Sequence, residues 1–127
     1  MADYAPMIYV VNGDPIPLSR PRFASGGKCY DPQKNVKLMI GIGISSQHDN
    51  RPLYQGPLEL NVIFYFQQSK RNRAGYHTAR PDLDNCVAML LNVCNSLLYT
   101  DDAQIASIIA KKMYDKSPRT EFSLRPL

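Results

Sequence analysis

At 127 residues, 44% hydrophobic and 20% charged, the chain is expected to form one domain over residues 1–127, and its composition excludes a disordered polymer. No apolar run is long enough to span a bilayer, and the start, "MADYAPMIYVVNGDP", lacks the basic and long apolar regions of a signal peptide; a cytoplasmic protein without membrane contact is expected. The formal net charge of +4 is too small to define a partner by itself, so its distribution carries the information.

"MIYVVNG" reads as a β-strand, and "PIPLSRPRF" follows in extended form, held there by its prolines. "RFASGGKCY" reads as a short hairpin, with Gly26 and Gly27 permitting positive φ at the turn. "DPQKNVKLMIGIGISSQ" opens with Asp31 as a helix N-cap and Pro32 at the first helical position. Val36, Met39 and Ile40 support that helix, against two glycines and the strand-like alternation of Leu38, Ile40, Ile42 and Ile44. After a loop at "DNRPLYQGP", "LELNVIFYF" is the clearest strand, with Leu58, Leu60, Val62, Phe64 and Phe66 on one face. "QQSKRNRAGYHTAR" is polar, basic and aperiodic, a loop long enough to be functional. A second helix over 82–98 carries Leu83, Cys86, Val87, Leu90, Leu91, Cys94, Leu97 and Leu98 at helical spacing. Ala88, Met89 and Val93 add apolar surface outside that stripe, which implies burial against the sheet and against a second subunit. "QIASIIAKKMY" and "TEFSLRPL" close the chain as strands joined by a turn at "DKSPR". The fold class is α+β: a small mixed β-sheet with two helices packed on it.

The cysteines Cys29, Cys86 and Cys94 are odd in number. On one helix, Cys86 and Cys94 would stand about 12 Å apart, beyond disulfide reach, so they read as core thiols in a reducing compartment. With no CxxC and only two histidines, a zinc site is not expected.

Charge is strongly segregated. Residues 82–102 hold Asp82, Asp84, Asp101 and Asp102 with no Lys or Arg. Residues 70–80 hold Lys70, Arg71, Arg73 and Arg80 with no acid, and residues 20–37 hold Arg20, Arg22, Lys28, Lys34 and Lys37 against Asp31. "KKMYDKSPR" adds Lys111, Lys112, Lys116 and Arg119 against Asp115. Each cluster alone is equally a solvated face. Together, basic segments around an acidic centre suit a polyanion gripped by its phosphates, with a divalent cation between.

In "ARPDLDNCVAMLL", either aspartate could cap the helix, but only one residue can be the cap. Clustered carboxylates are the hard oxygen ligands that Mg²⁺ prefers, often shared with substrate phosphates. "RPDLDN" with "YTDDAQI", after "PIPLSRPRF" and "YDPQ", closely resembles the RusA family of Holliday-junction resolvases from about residue 9 to the C-terminus. That resemblance implies an intertwined homodimer and Mg²⁺-dependent nicking of four-way DNA junctions, in recombination and repair and often in phages or prophages. Mn²⁺ is a candidate substitute. It maps the catalytic and metal-holding acids onto Asp82, Asp84 and Asp102. Asp101 is expected to cap or turn the chain rather than to bind metal. Asn85 either supports a carboxylate or caps backbone.

The family pattern departs at Ala88, where a lysine is expected, and at Asn92, where an aspartate is expected. A Lys–Asp pair at that spacing is a helix ion pair, and both partners are absent together. Either another cation (Lys112, Lys111 or Arg80) serves the transition state, or the protein binds junctions with weak or no cleavage. The expected DNA contacts are Arg20, Arg22, Lys70, Arg71, Arg73, Arg80, Lys111 and Lys112. A non-catalytic DNA-binding module is the rival reading.

Overall fold

The computed structural model describes residues 6–127, apart from the side chain of Arg22. Six strands and two helices run in the order β1 (Tyr9–Asn12), β2 (Arg22–Phe23), β3 (Cys29–Tyr30), α1 (Lys34–His48), β4 (Leu58–Gln67), α2 (Leu83–Cys94), β5 (Ile105–Asp115) and β6 (Arg119–Pro126). Strands β2 and β3 form a separate two-stranded hairpin, and the other four make a mixed sheet in the order β1-β6-β4-β5. β4 pairs in parallel with β5 and antiparallel with β6. This is the expected α+β class.

β4 owes its central place to its alternation. Leu58, Leu60, Val62, Phe64 and Phe66 are all buried on the face the helices cover. Each such side chain contributes about 1.5–3 kcal/mol by leaving water. Phe122 and Leu124 of β6 and Tyr9 of β1 join them, with Cys86, Met89, Leu90, Val93 and Cys94 from α2 and Ile44 from α1. The helices meet closely at Gly41: a Cβ there would stand 3.2 Å from Leu97 Cδ1. The glycine that weakens the helical pattern of α1 thus permits its packing against the segment after α2.

Two local expectations are corrected. Helix α1 begins two residues later than expected, with Gln33 at its N-cap. Asp31 instead accepts the Gln33 amide and pairs with Lys37 at 2.6 Å. Helix α2 ends at Cys94 rather than at 98, because Ser96 adopts a left-handed φ of 68°. Leu98 and Tyr99 still reach the core from the turn beyond, so the apolar periodicity outlives the helix. β5 and β6 are strands joined by a short turn, as expected, and β4 lies between them in the sheet. The three cysteines are free thiols, with Cys86 and Cys94 buried. No helix among the described residues is long and apolar enough to cross a membrane.

Candidate active site

The N-terminus of α2 is an open, acidic end. Asp82 is its N-cap residue in extended backbone, yet its carboxylate makes no capping hydrogen bond. Asp84, in the first turn, accepts the Asn85 amide at 3.0 Å through Oδ1. Asp82, Asp84 and Asn85 are all exposed. A helix N-terminus favours negative charge, which offsets the repulsion of two neighbouring carboxylates. Asn85 uses its backbone carbonyl to accept the Leu18 amide at 2.9 Å, which fastens the chain leading into the hairpin to this same turn.

Lys112 fixes the approach to Asp82. Its Nζ donates to the carbonyls of Ala79 at 2.8 Å and Pro81 at 2.7 Å, the residues on either side of Arg80. The register of the parallel pair explains its direction: Lys112 lies beside Phe64, on the helix-covered face, whereas Lys111 lies beside Ile63, on the other face. Lys111 is therefore turned away from Asp82 and Asp84. Arg80 is exposed, one residue before Pro81. The nearby Cys86 thiol is pushed up to about 11, chiefly by burial; Lys112 pulls it down while Asp82 and Asp84 push it up, so all three charges reach this point of the core.

His77 completes the anchorage. Its amide donates to the Lys112 carbonyl at 2.9 Å, and its ring stacks on Phe66 with centroids 3.9 Å apart. The imidazole is held below its ordinary pKa, first by burial and then by the Lys112 charge. Nothing in the sequence pattern marked this histidine; one buried aromatic-like residue in a polar loop is a weak signal.

Asp102 stands elsewhere. Asp101 caps the single 3₁₀ turn Asp102–Gln104, accepting the Ala103 amide at 2.9 Å, and Gln104 reciprocates to the Asp101 amide. The Asp102 amide donates to Asn95 Oδ1 at 3.1 Å, just past the C-terminus of α2. From Asp84 to Asn95 the axis advances about 16 Å at 1.5 Å per residue. Within one chain the helix therefore separates Asp102 from Asp82 and Asp84, and no group of three His, Cys, Asp or Glu among the described residues could hold a metal. Asn95, an anchor for Asp102, was not anticipated; an asparagine past the helix end carries no distinctive pattern.

The basic residues fall in two places. Lys70, Arg71 and Arg73 are exposed on the loop after β4, where a tight turn forms from the Asn72 amide to the Ser69 hydroxyl at 3.0 Å. Arg20 is exposed at the root of the hairpin; the Arg22 side chain lies outside the described residues. The "KKMYDKSPR" patch does not act as one surface. Arg119 is committed to Asp115 at 2.6 Å and Glu121 at 2.7 Å and lies over the Tyr65 ring.

Three comparisons bear on this geometry. The family model "Endodeoxyribonuclease RusA" matches residues 12–125. The uncharacterized protein YqaN of Bacillus subtilis (strain 168) is 29% identical, over 92% of this chain and 94% of its own. The crossover junction endodeoxyribonuclease rusA of Lactococcus phage r1t is 37% identical, over 54% of this chain and 53% of its own. The family match spans both acidic ends of α2, the Lys112 anchor and the hairpin: the chain belongs to the RusA endodeoxyribonuclease family.

Proposed function

We propose that this protein is a metal-dependent nuclease that nicks four-way DNA junctions, a single-domain chain acting as a homodimer. The observation that carries the reading is the pair of open carboxylates, Asp82 and Asp84, on a chain matching an endodeoxyribonuclease family over residues 12–125. Support for the substrate comes from the Lactococcus phage relative, named a crossover junction endodeoxyribonuclease.

Asp82 and Asp84 are hard oxygen donors whose one partner among the described residues is the Asn85 amide, and they are the donor type that Mg²⁺ or Mn²⁺ takes. Bound there, the ion would polarise the scissile phosphodiester and ease deprotonation of the attacking water. Hydrolysis would leave a 5′-phosphate and a 3′-hydroxyl. Two carboxylates are a sparse set, and Asp102 is a helix length away in the same chain. Two copies of α2 related by a two-fold axis across the helix would run antiparallel, bringing the partner's Asp102 to Asp82 and Asp84. The exposed stripe Leu38, Met39 and Ile42 on α1, between 62% and 73% exposed, gives such a dimer an apolar surface to bury. Asp101 and Asn95 would then set the direction of Asp102, and Lys112 that of Asp82. Arg20, Arg22, Lys70, Arg71, Arg73 and Arg80 would contact phosphates, and a junction's two equivalent strands match two sites.

Ala88 favours a second reading, junction binding with little cleavage. Lys112 spends two of its N–H groups on carbonyls, which makes it a poor substitute for the missing lysine. One experiment separates the readings: a labelled four-way junction incubated with Mg²⁺, Mn²⁺ or EDTA, for the natural chain and for Ala88→Lys with Asn92→Asp. The nuclease reading expects metal-dependent nicking by the natural chain, accelerated about 10²-fold in the double variant. Binding without nicking under any metal by the natural chain selects the second reading.

A further inference from the structure

The β2–β3 hairpin leaves aromatic rings in water beside the acidic end of α2. Phe23 is 75% exposed and Tyr30 is 46% exposed. The register pairs Phe23 with Cys29 and Arg22 with Tyr30, so the two rings stand on opposite faces of a ribbon only two strands wide. Ala24 and Lys28 close it, the Ala24 amide donating to the Lys28 carbonyl at 2.7 Å, with Gly26 and Gly27 at φ of 93° and 82°. Nothing among the described residues covers Phe23, and a ring this exposed costs free energy in water.

The root of the hairpin, by contrast, is fixed. The Leu18 amide donates to the Asn85 carbonyl, one residue past Asp84. The Ser19 amide donates to Gln33 Oε1 at 2.9 Å, and Gln33 Nε2 returns a bond to the Pro17 carbonyl at 2.9 Å. On the other strand, Asp31 is held by Lys37. Phe23 is five chain steps on from Leu18, so its Cα lies within about 17 Å of the Leu18 Cα even if the chain between is fully extended. That span is about five steps along a nucleic acid strand at 3.4 Å each. Arg20 and Lys28 supply cationic side chains on the same projection, the sign that a phosphate backbone requires.

An aromatic ring on a basic projection is the chemistry that binds a base by its π-face. Within intact duplex every such face is already stacked. Where the arms of branched DNA meet, terminal faces become available. We propose that the hairpin is a base-stacking element: Phe23 stacks on a base exposed at the branch point, and the hairpin's root on Asn85 sets where Asp82 and Asp84 meet the backbone. This rests on the junction reading above. It assigns preference for branched over linear DNA to Phe23 and general affinity to the cations.

The test compares affinities of the full-length protein for a four-way junction and for linear duplex of the same arm sequence, in EDTA, alongside its sedimentation. Phe23→Ala is expected to weaken junction binding on the order of tenfold while changing duplex binding by less than about twofold, with Phe23→Trp restoring the junction. The ring's exposure means that neither substitution removes a core contact, which a melting curve verifies. Equal weakening on both DNAs, or none on the junction, overturns the proposal and leaves the nuclease reading standing. A change in sedimentation on Phe23→Ala makes the ring a contact between subunits, and also overturns it. A natural chain that binds neither DNA overturns the nuclease reading as well.

Discussion

Lys112 directs its charge at backbone. A surface lysine normally keeps its ammonium in water; here two peptide carbonyls, of Ala79 and Pro81, accept hydrogen bonds from it. Charge-assisted bonds of this kind are the stronger class of hydrogen bond, and both fall on the short segment that delivers Asp82 to the helix end. On the nuclease reading the residue would act through Asp82 rather than on a phosphate. Replacing it by methionine keeps the apolar stem and removes the donors. Because Lys112 is only half-buried, water can reach the freed carbonyls, and the stability cost should be on the order of 1 kcal/mol. A displaced Asp82 is more serious, since an error of about 1 Å in a reacting geometry can cost about 10²-fold in rate. Lys112→Met is therefore expected to slow single-turnover junction nicking about 10²-fold at saturating metal, with junction affinity nearly unchanged. If affinity and rate fall together, Lys112 is a phosphate contact and the positioning role is wrong.

At the level of elements, the middle of the loop over 68–82 is held to the sheet by the Tyr76 bridge to Met113, the Tyr114 amide on the Gly75 carbonyl, the His77 amide on the Lys112 carbonyl and the His77 ring on Phe66. The histidine makes this attachment sensitive to acid. Its folded-state pKa is depressed by burial and by Lys112, so the unfolded chain binds the proton first. Stability is thus greatest above the unfolded value of about 6.5 and falls as pH drops below it. Urea midpoints taken from pH 7.5 to 5.5 should fall more steeply for the natural chain than for His77→Phe, which keeps the stack and cannot protonate; parallel curves would remove His77 from the account. These elements also show what was legible in the sequence. β4 was readable because a strand buried on one face must alternate, and the hairpin because adjacent glycines mark a turn. The end of α2 was not, since Leu97 and Leu98 continue the period while Ser96 turns the chain. The strand order was not either: alternation in β5 and β6 identifies strands without saying that β4 separates them. Asp82 and Asp84 were legible as a motif, but the distance from them to Asp102 depends on how β5 runs back along α2.

For the whole molecule, that distance is the central fact. A helix of twelve residues holds one acidic pair at its start and Asp102 beyond its end. Sites built from both ends of α2 therefore need two chains, and each of the two sites would draw Asp82 and Asp84 from one protomer and Asp102 from the other. The arrangement can be tested by mixing. Alone, Asp84→Asn and Asp102→Asn proteins should each be inactive on a junction, because every site in either homodimer lacks one carboxylate. When the two are unfolded together and refolded, about half of the dimers become mixed if pairing is random. In a mixed dimer one site collects both substitutions and the other collects none. Nicking should therefore return, at about a quarter of the natural rate and on one strand per binding event. If instead all three acids worked within one chain, every chain in the mixture would still carry a defect and no activity would return. Double substitution of Leu38 and Ile42 by glutamate in both chains should prevent the recovery, because the α1 stripe is the apolar surface the two protomers would share. Recovery that survives those glutamates would move the subunit contact to another face while leaving the shared site intact.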